Sequence, residues 1–354
     1  MRITRAFAIT AAVAVGVAAC STATDDPSSQ SPDSTESPMP TEVTVVTHDS
    51  FAVPDDVLAA FEQESGLDVT FVAPGDAGTL VNQLILTKDA PLGDVVYGVD
   101  NTFASRALEA GVFADYASDA PAAADAASYA IGGSQALTAI DFSDVCLNID
   151  LAAFEGDVPA PQTLDDLLDP VYSGMVSVTN PATSSPGLAF LLATIAAKGD
   201  AWPEYWEALN DNDLRVTASW SDTYFTDFSA PNYGGDYPIV LSYASSPPLE
   251  VIDGQPTTAA LLDTCFRQVE YAGVLEGAQN PQGAQLVVDW MLSDGFQASV
   301  PENMYVYPVS SAVQVPAEWT QFAPLAQDPW TLEPATIDSQ RDEWIDTWTD
   351  TVLN

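Results

Sequence analysis

The stretch EVTVVTHDSFAVPDDVLAAFEQESGLDVTFVAPGDAGTLVNQLILTKDAPLGDVVYGVD, residues 42–100, decides the fold, because short β-branched runs alternate in it with segments of helical periodicity. The predicted elements, in chain order, are a strand at 42–48, a helix at 54–64, a strand at 67–73, a helix at 79–87, a strand at 94–99 and a helix at 102–110. Such β-α-β-α-β alternation is typical of a largely parallel sheet covered by helices. The sequence therefore predicts the α/β class.

Each of these three strands ends in polar residues. His48 closes the first strand, Asp76 follows the second, and Asp100 follows the third. The carboxyl ends of parallel strands meet at one edge of a sheet, which is where ligands bind in open α/β folds. Either acid, Asp76 or Asp100, could be explained by capping of the helix that follows it. Asp76 suits both helix capping and ligand binding.

A second pair of predicted strands, at 214–219 and 237–242, ends in aromatic residues, Trp220 and Tyr243. Either the two rings fill the interior, or they form one wall of a cleft. An interior plug would leave the hydroxyl groups that follow, such as those of Ser245 and Ser246, without partners. We therefore interpret the pair as an aromatic wall with a hydrogen-bonding rim.

Three consecutive hydroxyl residues, Thr183, Ser184 and Ser185, precede a predicted helix at 188–198. Backbone N–H groups at the start of that helix, together with these hydroxyls, would bind an anion without a basic side chain. An ordinary serine N-cap explains the same pattern, so both interpretations stay open. Further along the chain, Tyr305 is either a cleft aromatic or a packing residue.

Two C-terminal segments are predicted to be helices that serve packing. Residues 281–298 show apolar side chains at helical spacing throughout, which predicts one long amphipathic helix. The final helix, predicted at 337–353, carries Trp344 and Trp348 four residues apart. That spacing suits packing on the body of the protein better than contact with a ligand.

Two extended segments, at 137–150 and 268–275, are predicted to cross between two lobes and to form a hinge. Cys146 lies on the first crossing and Cys265 just before the second, and in an extracytoplasmic chain such a pair is most simply a disulfide. The alternative is a nucleophile or a metal ligand. It lacks support, because His48 is the only histidine and the sequence has too few histidines and cysteines for a Cys–His catalytic pair or a zinc site to be well supported.

The N-terminus has the features of a bacterial lipoprotein signal. Arg2 and Arg5 precede a short apolar core, and small residues place Cys20 at the cleavage point, where it would carry the lipid. A plain secretory signal with an unrelated cysteine is the alternative. Residues 1–20 are thus expected to be the signal peptide and 21–41, rich in Ser, Thr, Pro and Asp, a disordered tether. The expected location is extracytoplasmic, at the outer face of the cell membrane.

The chain beyond residue 41 is longer than one compact core usually spans, so we expect two lobes. A hydrophobic content of 47% and eight tryptophans can fill two cores. The expected boundaries are 42–142 with 268–320 for lobe 1, 143–267 for lobe 2, and 321–354 for a C-terminal helical segment packed on the lobes.

The charge is extreme, with 51 acidic residues against 8 Lys and Arg and a formal net charge of −43. So few cations exclude nucleic acid as a partner. A surface adapted to high salt explains most of the acidity, because the acids are spread along the whole chain. The resulting field would also favour a cationic ligand.

Several stretches, in family order, carry a resemblance to a known group of proteins. They are THDSF (47–51), APGDAGTLVNQL (73–84), GVDN (98–101), NPATSSPGL (180–188), VTASWSDTY (216–224), VLSYASSP (240–247) and YVYPV (305–309). They resemble the thiamine-binding members of the substrate-binding proteins of ABC importers. The resemblance implies a two-lobed periplasmic-binding-protein fold of type II, with two interlobe crossing strands and a ligand cleft between the lobes.

The resemblance further implies thiamine, or its mono- and diphosphate, as ligand, an ABC permease as partner, a monomer, no cofactor and no enzymatic activity. The implied contacts are Asp76, Ala77, Ser184, Ser185, Trp220, Tyr243, Ala244, Ser245 and Ser246. His48 and Leu249 stand where the family pattern leads us to expect aromatic walls, and Tyr305 is a candidate substitute. A cationic thiazolium is favoured over an indole or phenol face near a carboxylate.

Three alternatives were weighed against thiamine. A polyamine would fit the acidity and the aromatic residues. Ferric ion usually requires paired tyrosines, whereas SYASSP (242–247) supplies only Tyr243. A thiamine-degrading enzyme would need Cys146 or Cys265 unpaired and at the ligand.

Overall fold

The computed structural model describes residues 40–354. The predicted signal peptide, the lipid-bearing Cys20 and nearly all of the predicted tether lie outside the described residues. Among those that are described, no helix is both long enough and apolar enough to cross a membrane.

The first part of the chain follows the predicted alternation of strands and helices. Its elements are β1 (Glu42–Val46), α1 (Asp55–Ser65), β2 (Asp68–Val72), α2 (Ala77–Leu86), β3 (Val95–Asp100), α3 (Ala104–Glu109), α4 (Ala123–Ala126) and β4 (Thr138–Asp150). β1 pairs in parallel with both β2 and β3. Every residue of β3 is buried, as expected for a strand covered on both faces.

The middle of the chain supplies a second group of strands and helices. These are β5 (Val176–Thr179), α5 (Ser185–Lys198), α6 (Trp202–Asp211), β6 (Arg215–Thr217), β7 (Ile239–Tyr243), β8 (Val251–Ile252), β9 (Gln255–Pro256) and β10 (Thr258–Val274). β5 pairs in parallel with β6 and β7. Helix α5 is buried along almost its whole length, and Pro186 lies in its first turn as predicted.

The chain ends with α7 (Pro281–Met291), α8 (Asp294–Asn303), β11 (Tyr307–Pro308), α9 (Ala317–Phe322) and α10 (Pro334–Val352). The prediction of one helix over 281–298 is wrong, because the helix stops at Met291 and a new one starts at Asp294. Ser293 adopts extended backbone angles, and its hydroxyl accepts a hydrogen bond from the N–H of Phe296. This N-cap interrupts the helix although the apolar spacing continues through it.

The prediction that Trp344 and Trp348 serve packing is confirmed. Both side chains are buried, and the ring of Trp348 meets that of Trp206 on α6 edge to face, with 5.5 Å between the ring centres. Aromatic pairs at this distance and angle are favourable beyond the area that they bury.

One large sheet organises residues 40–354, with the strand order β2-β1-β3-β10-β4-β7-β5-β6 and β11 beside β4. β4 and β10 lie at its centre and pair antiparallel from Thr258 opposite Asp150 to Ala272 opposite Thr138. They join the β1–β3 group to the β5–β7 group. The architecture is therefore the two-lobed α/β fold predicted from the sequence, with two crossing strands.

Cys146 on β4 and Cys265 on β10 form the predicted disulfide. The second crossing begins at Thr258 rather than at the predicted residue 268, because the pairing shifts between Leu261 and Phe266 instead of ending there. That irregularity interrupts the apolar alternation by which a strand is recognised in a sequence.

Candidate functional site

A cavity of about 320 Å³ lies between the two groups of strands, at the carboxyl ends of β1, β2, β6 and β7. Ligand pockets commonly enclose roughly 300–1,000 Å³. Of the residues predicted to contact the ligand, those that line this cavity are His48, Asp76, Ala77, Ser185, Trp220, Tyr243, Ser246 and Tyr305. Residues far apart in the chain thus meet where the strand-end pattern predicted a site.

Three of the predicted contact residues do not line the cavity. Ser184 is fully buried, and its hydroxyl has no hydrogen-bond partner among the described residues. Ala244 packs beside the disulfide, and the Ser245 hydroxyl lies 2.7 Å from that of Ser143 on β4. The chain turns after Tyr243, so successive side chains of the run 243–246 point in different directions.

The aromatic wall consists of Trp220 and Tyr243. Both are partly exposed and line the cavity, which agrees with a wall rather than an interior plug. The indole N–H of Trp220 donates to the Ser242 hydroxyl at 2.9 Å, and its ring stacks on Tyr224 with 5.2 Å between centres. Tyr243 meets Trp220 edge on at 6.1 Å. These contacts fix the orientation of the indole.

Two carboxylates lie beside this wall, each at the start of a helix. Asp76 caps α2 by accepting from the N–H of Ala77, and its second oxygen accepts from the N–H of Trp220 at 3.0 Å. Burial raises the pKa of Asp76, although these two N–H donors oppose the rise. Asp100 accepts from the backbone of Thr102 and from the hydroxyl of Ser185. Burial raises the pKa of Asp100 to about 6.

His48 and Glu270 complete the polar part of the lining. His48 Nε2 lies 3.2 Å from Glu270 Oε1. The sequence reasoning missed Glu270, which lies within the crossing strand β10 rather than at a strand end. A lone acid inside the otherwise apolar run VEYAGVL was the signal that could have identified it, because buried carboxylates are rare without a specific partner.

Other lining residues were also missed. Phe225 and Tyr233 come from the chain between β6 and β7, and Met304 comes from the end of α8. Phe225 belongs to a π-helical turn, Asp222–Asp227, that directly follows Trp220. No spacing in the sequence predicts such a turn, so only the stretch around it could be assigned to the site.

The two groups of strands touch each other across the cavity. Besides the Asp76 to Trp220 bond, the N–H of Thr79 donates to the carbonyl of Thr183 at 3.2 Å. The hydroxyls of Ser50 and Ser221 are 3.3 Å apart. The cleft is therefore closed over the cavity. Within residues 40–354, no group of three or more His, Cys, Asp or Glu side chains is placed to hold a metal ion.

Two sets of strands joined by two crossing strands, with a lined cavity between them, define a type II periplasmic binding protein. Residues 90–330 match the family described as bacterial extracellular solute-binding protein. The chain belongs to this family.

Similar proteins with assigned ligands were found both by sequence and by structure. The thiamine-binding periplasmic protein of Escherichia coli K12 is 30% identical over 316 residues, which cover 86% of this chain and 92% of that protein. The protein of the same name from Salmonella typhimurium is 29% identical over 317 residues, with the same two coverages of 86% and 92%. A solved periplasmic thiamin binding protein superposes with a TM-score of 0.77 at 28% identity, covering 88% of this chain and 96% of that one.

These findings confirm the resemblance stated from the sequence. They also confirm that the chain is a binding protein of transport systems rather than an enzyme, and that it works outside the cytoplasm.

Proposed function

We propose that this protein captures thiamine in the cavity between its lobes and delivers it to the permease of an ABC importer. The similarity to proteins named for thiamine binding supports the ligand, and membership of a solute-binding family supports the transport role. The lobes we propose are 42–142 with 268–320 and 143–267, joined at β4 and β10, with 321–354 packed on them. The protein acts as a monomer.

The observation that carries the proposal is the placement of Trp220 beside buried carboxylates. A thiazolium ring carries a permanent positive charge, which is attracted to the face of an indole and to nearby anions. The cavity offers the indole of Trp220, the phenol of Tyr243 and the carboxylates of Asp76 and Glu270. The pyrimidine edge of thiamine suits the carboxylate of Asp76 and the backbone groups around it.

Isothermal titration calorimetry tests the proposal directly. The unmodified protein should bind thiamine, and Trp220→Ala should weaken binding by more than about tenfold, because stacking of a desolvated cation is lost. Trp330→Ala is the matched control, since Trp330 is partly exposed and does not line the cavity. Absence of thiamine binding, or tighter binding of spermidine or ferric citrate, would refute the assignment of the ligand. Equal affinity for Trp220→Ala would refute the assignment of the site.

Thiamine mono- and diphosphate are included in the proposal. The start of α5 supplies backbone N–H groups, and the hydroxyls of Ser184 and Ser185 lie there. The Ser185 hydroxyl donates to Asp100, so a phosphate would have to replace that contact. Ser184→Ala combined with Ser185→Ala should weaken binding of the diphosphate more than that of thiamine, whereas equal losses would remove the phosphate from the proposal.

The proposed attachment to the membrane is a lipid on Cys20, at the end of the signal peptide. Its support is the sequence alone, namely Arg2 and Arg5, the apolar core and the small residues before Cys20. Cys20→Ala should move the protein from the membrane fraction to the soluble fraction of cells. An unchanged distribution would show that the anchor lies elsewhere.

A further inference from the structure

His48 and Glu270 face each other in the lining of the cavity. His48 follows β1 in the first lobe, and Glu270 lies on the crossing strand β10. Both line the cavity and both are largely buried, with 8% and 6% of their surface exposed. Nε2 of His48 is 3.2 Å from Oε1 of Glu270. Two titratable groups held this closely out of water influence each other's protonation far more strongly than a surface pair does.

The other imidazole nitrogen is also occupied. The backbone N–H of Ser50 donates to Nδ1 of His48 at 3.2 Å. Nδ1 can accept this bond only when it carries no proton, so the contact fits a neutral ring with its single proton on Nε2, facing Glu270. A second proton on the ring would break the bond to Ser50.

The groups that face the pair come from several elements. The phenol of Tyr97 on β3 donates to Asp141 at 2.6 Å and lies 3.3 Å from Oε2 of Glu270. Asp141, opposite Glu270 on β4, has a pKa raised well above its usual value by burial and by the charge of Glu270. Asp76 and Asp49 add negative potential at His48. Asp100 and Tyr243 are the remaining titratable groups near Glu270.

We propose that His48 and Glu270 together set the charge of the solute that the cavity accepts. With a neutral imidazole, the Glu270 carboxylate is an uncompensated anion beside the cavity and favours a cation. With a protonated imidazole, the pair is neutral and that preference is lost. At a pH at which the imidazole of the free protein is protonated, binding of a cationic ring therefore expels that proton from His48. This inference rests on the proposed function, because it requires a cationic ligand.

The direction of the pH dependence follows from linkage. Burial lowers the pKa of His48, but Glu270 together with Asp76 and Asp49 more than compensates, so the imidazole pKa of the ligand-free protein is raised. A bound cation opposes protonation, so the pKa of His48 is lower in the complex. Affinity for a cation should then rise with pH between the imidazole pKa of the complex and that of the free protein, by up to about tenfold per pH unit, and level off above the latter.

A single measurement isolates this proton, because His48 is the only histidine of the chain. The imidazole signals of ¹⁵N-labelled protein are followed by NMR from about pH 5 to about pH 8, with and without saturating thiamine. The expected result is a lower imidazole pKa in the complex. The neutral thiophene analogue of thiamine is the matched ligand and should leave the pKa much less changed. An equal pKa in the free protein and the thiamine complex would overturn the proposal.

Two variants separate the roles of the partners. Gln at position 48 keeps a donor for Glu270 but cannot take a proton, so His48→Gln should reduce the rise of thiamine affinity across this pH range by the contribution of one proton. Any slope left in this variant belongs to Asp76 and Asp100. Glu270→Gln should lower the imidazole pKa and weaken binding of thiamine more than binding of the neutral analogue. An unchanged slope in His48→Gln would overturn the proposal.

The outcomes also distinguish this inference from the proposed function. If thiamine does not bind the unmodified protein at any pH, the proposed function fails. If thiamine binds with the expected dependence on Trp220 but without displacing a proton from His48, only the present inference fails.

Discussion

Asp100 lies behind Ser185 of the cavity lining, and its ionisation makes stability depend on pH. It is fully buried and accepts hydrogen bonds from Thr102, Phe103 and Ser185. Burial raises its pKa from 3.8 to about 6. The folded state therefore keeps a proton that the unfolded chain has already lost. The resulting stabilisation is complete below about pH 3.8 and disappears as the pH rises through about 6.

We predict that Asp100→Asn removes this component of the pH dependence. The free energy of unfolding of the ligand-free protein, relative to that of the variant, should fall by about 2–3 kcal/mol between the two pKa values. Urea denaturation of both proteins at a series of pH values measures the difference. If the free energies of unfolding of the two proteins change with pH in parallel, Asp100 has the same pKa in the folded and unfolded states.

Among single residues, those candidate site residues that follow a strand were predictable from the sequence. Asp76, Trp220 and Tyr243 each stand at the end of an apolar run, and the sheet gathers such ends at one edge. Glu270 stands within a strand, and it reaches the cavity only because β10 runs through the centre of the sheet. Whether a central crossing strand borders a cavity depends on long-range pairing, which local spacing does not encode.

Among the elements, α2 makes a close backbone contact across the cleft. Its Gly78 lies so close to the loop before α5 that an added Cβ would be 2.7 Å from the carbonyl carbon of Thr183. The atoms that this Cβ would meet belong to the backbone, which cannot move aside as the end of a flexible side chain can. Alanine favours the helix itself by about 1 kcal/mol over glycine, so any loss of function must come from the contact across the cleft.

We predict that Gly78→Ala keeps the lobes folded but hinders closure. Affinity for thiamine should fall by roughly tenfold or more, because the closed state in which both lobes touch the ligand becomes costly. Small-angle X-ray scattering of the thiamine-saturated variant should give a larger radius of gyration than that of the unmodified protein. Gly295→Ala is the control, since an added Cβ there meets no atom within 4 Å. A compact, tightly binding Gly78→Ala would contradict the prediction.

The order of strands and helices was largely predictable, whereas two boundaries were not. The break between α7 and α8 depends on the backbone angles of Ser293, a residue type that is also tolerated inside helices. The early start of β10 depends on its shifted pairing with β4. In both places a single residue or bulge decides the boundary, while the apolar pattern around it is unchanged.

For the molecule as a whole, electrostatic repulsion between carboxylates opposes the compact state. The formal net charge is −43, and within the described residues only four ion pairs involve Lys or Arg. Most carboxylates therefore have no opposite charge nearby. Such self-repulsion destabilises a compact state and is weakened by added salt.

We predict that salt raises the thermal stability of the ligand-free protein. Between about 0.01 M and about 1 M NaCl the Debye length shortens from about 30 Å to about 3 Å, so repulsion between surface carboxylates is screened. Differential scanning calorimetry should show Tm rising steeply at low salt and then levelling. Potassium chloride should act equally, because screening does not depend on the cation. A flat or falling Tm would indicate that the acidic surface is not repulsive in the folded state.

The position of β10 in the sheet, between β3 and β4, has a consequence for how the chain reaches its native state. Until residues 258–274 have left the ribosome, β3 has one side of its backbone unpaired, and the N-terminal lobe cannot be completed. Pairing of segments so distant in sequence is slow. We therefore expect the N-terminal lobe to fold only after residues 258–274 have been synthesised, an order that suits a chain exported before it folds.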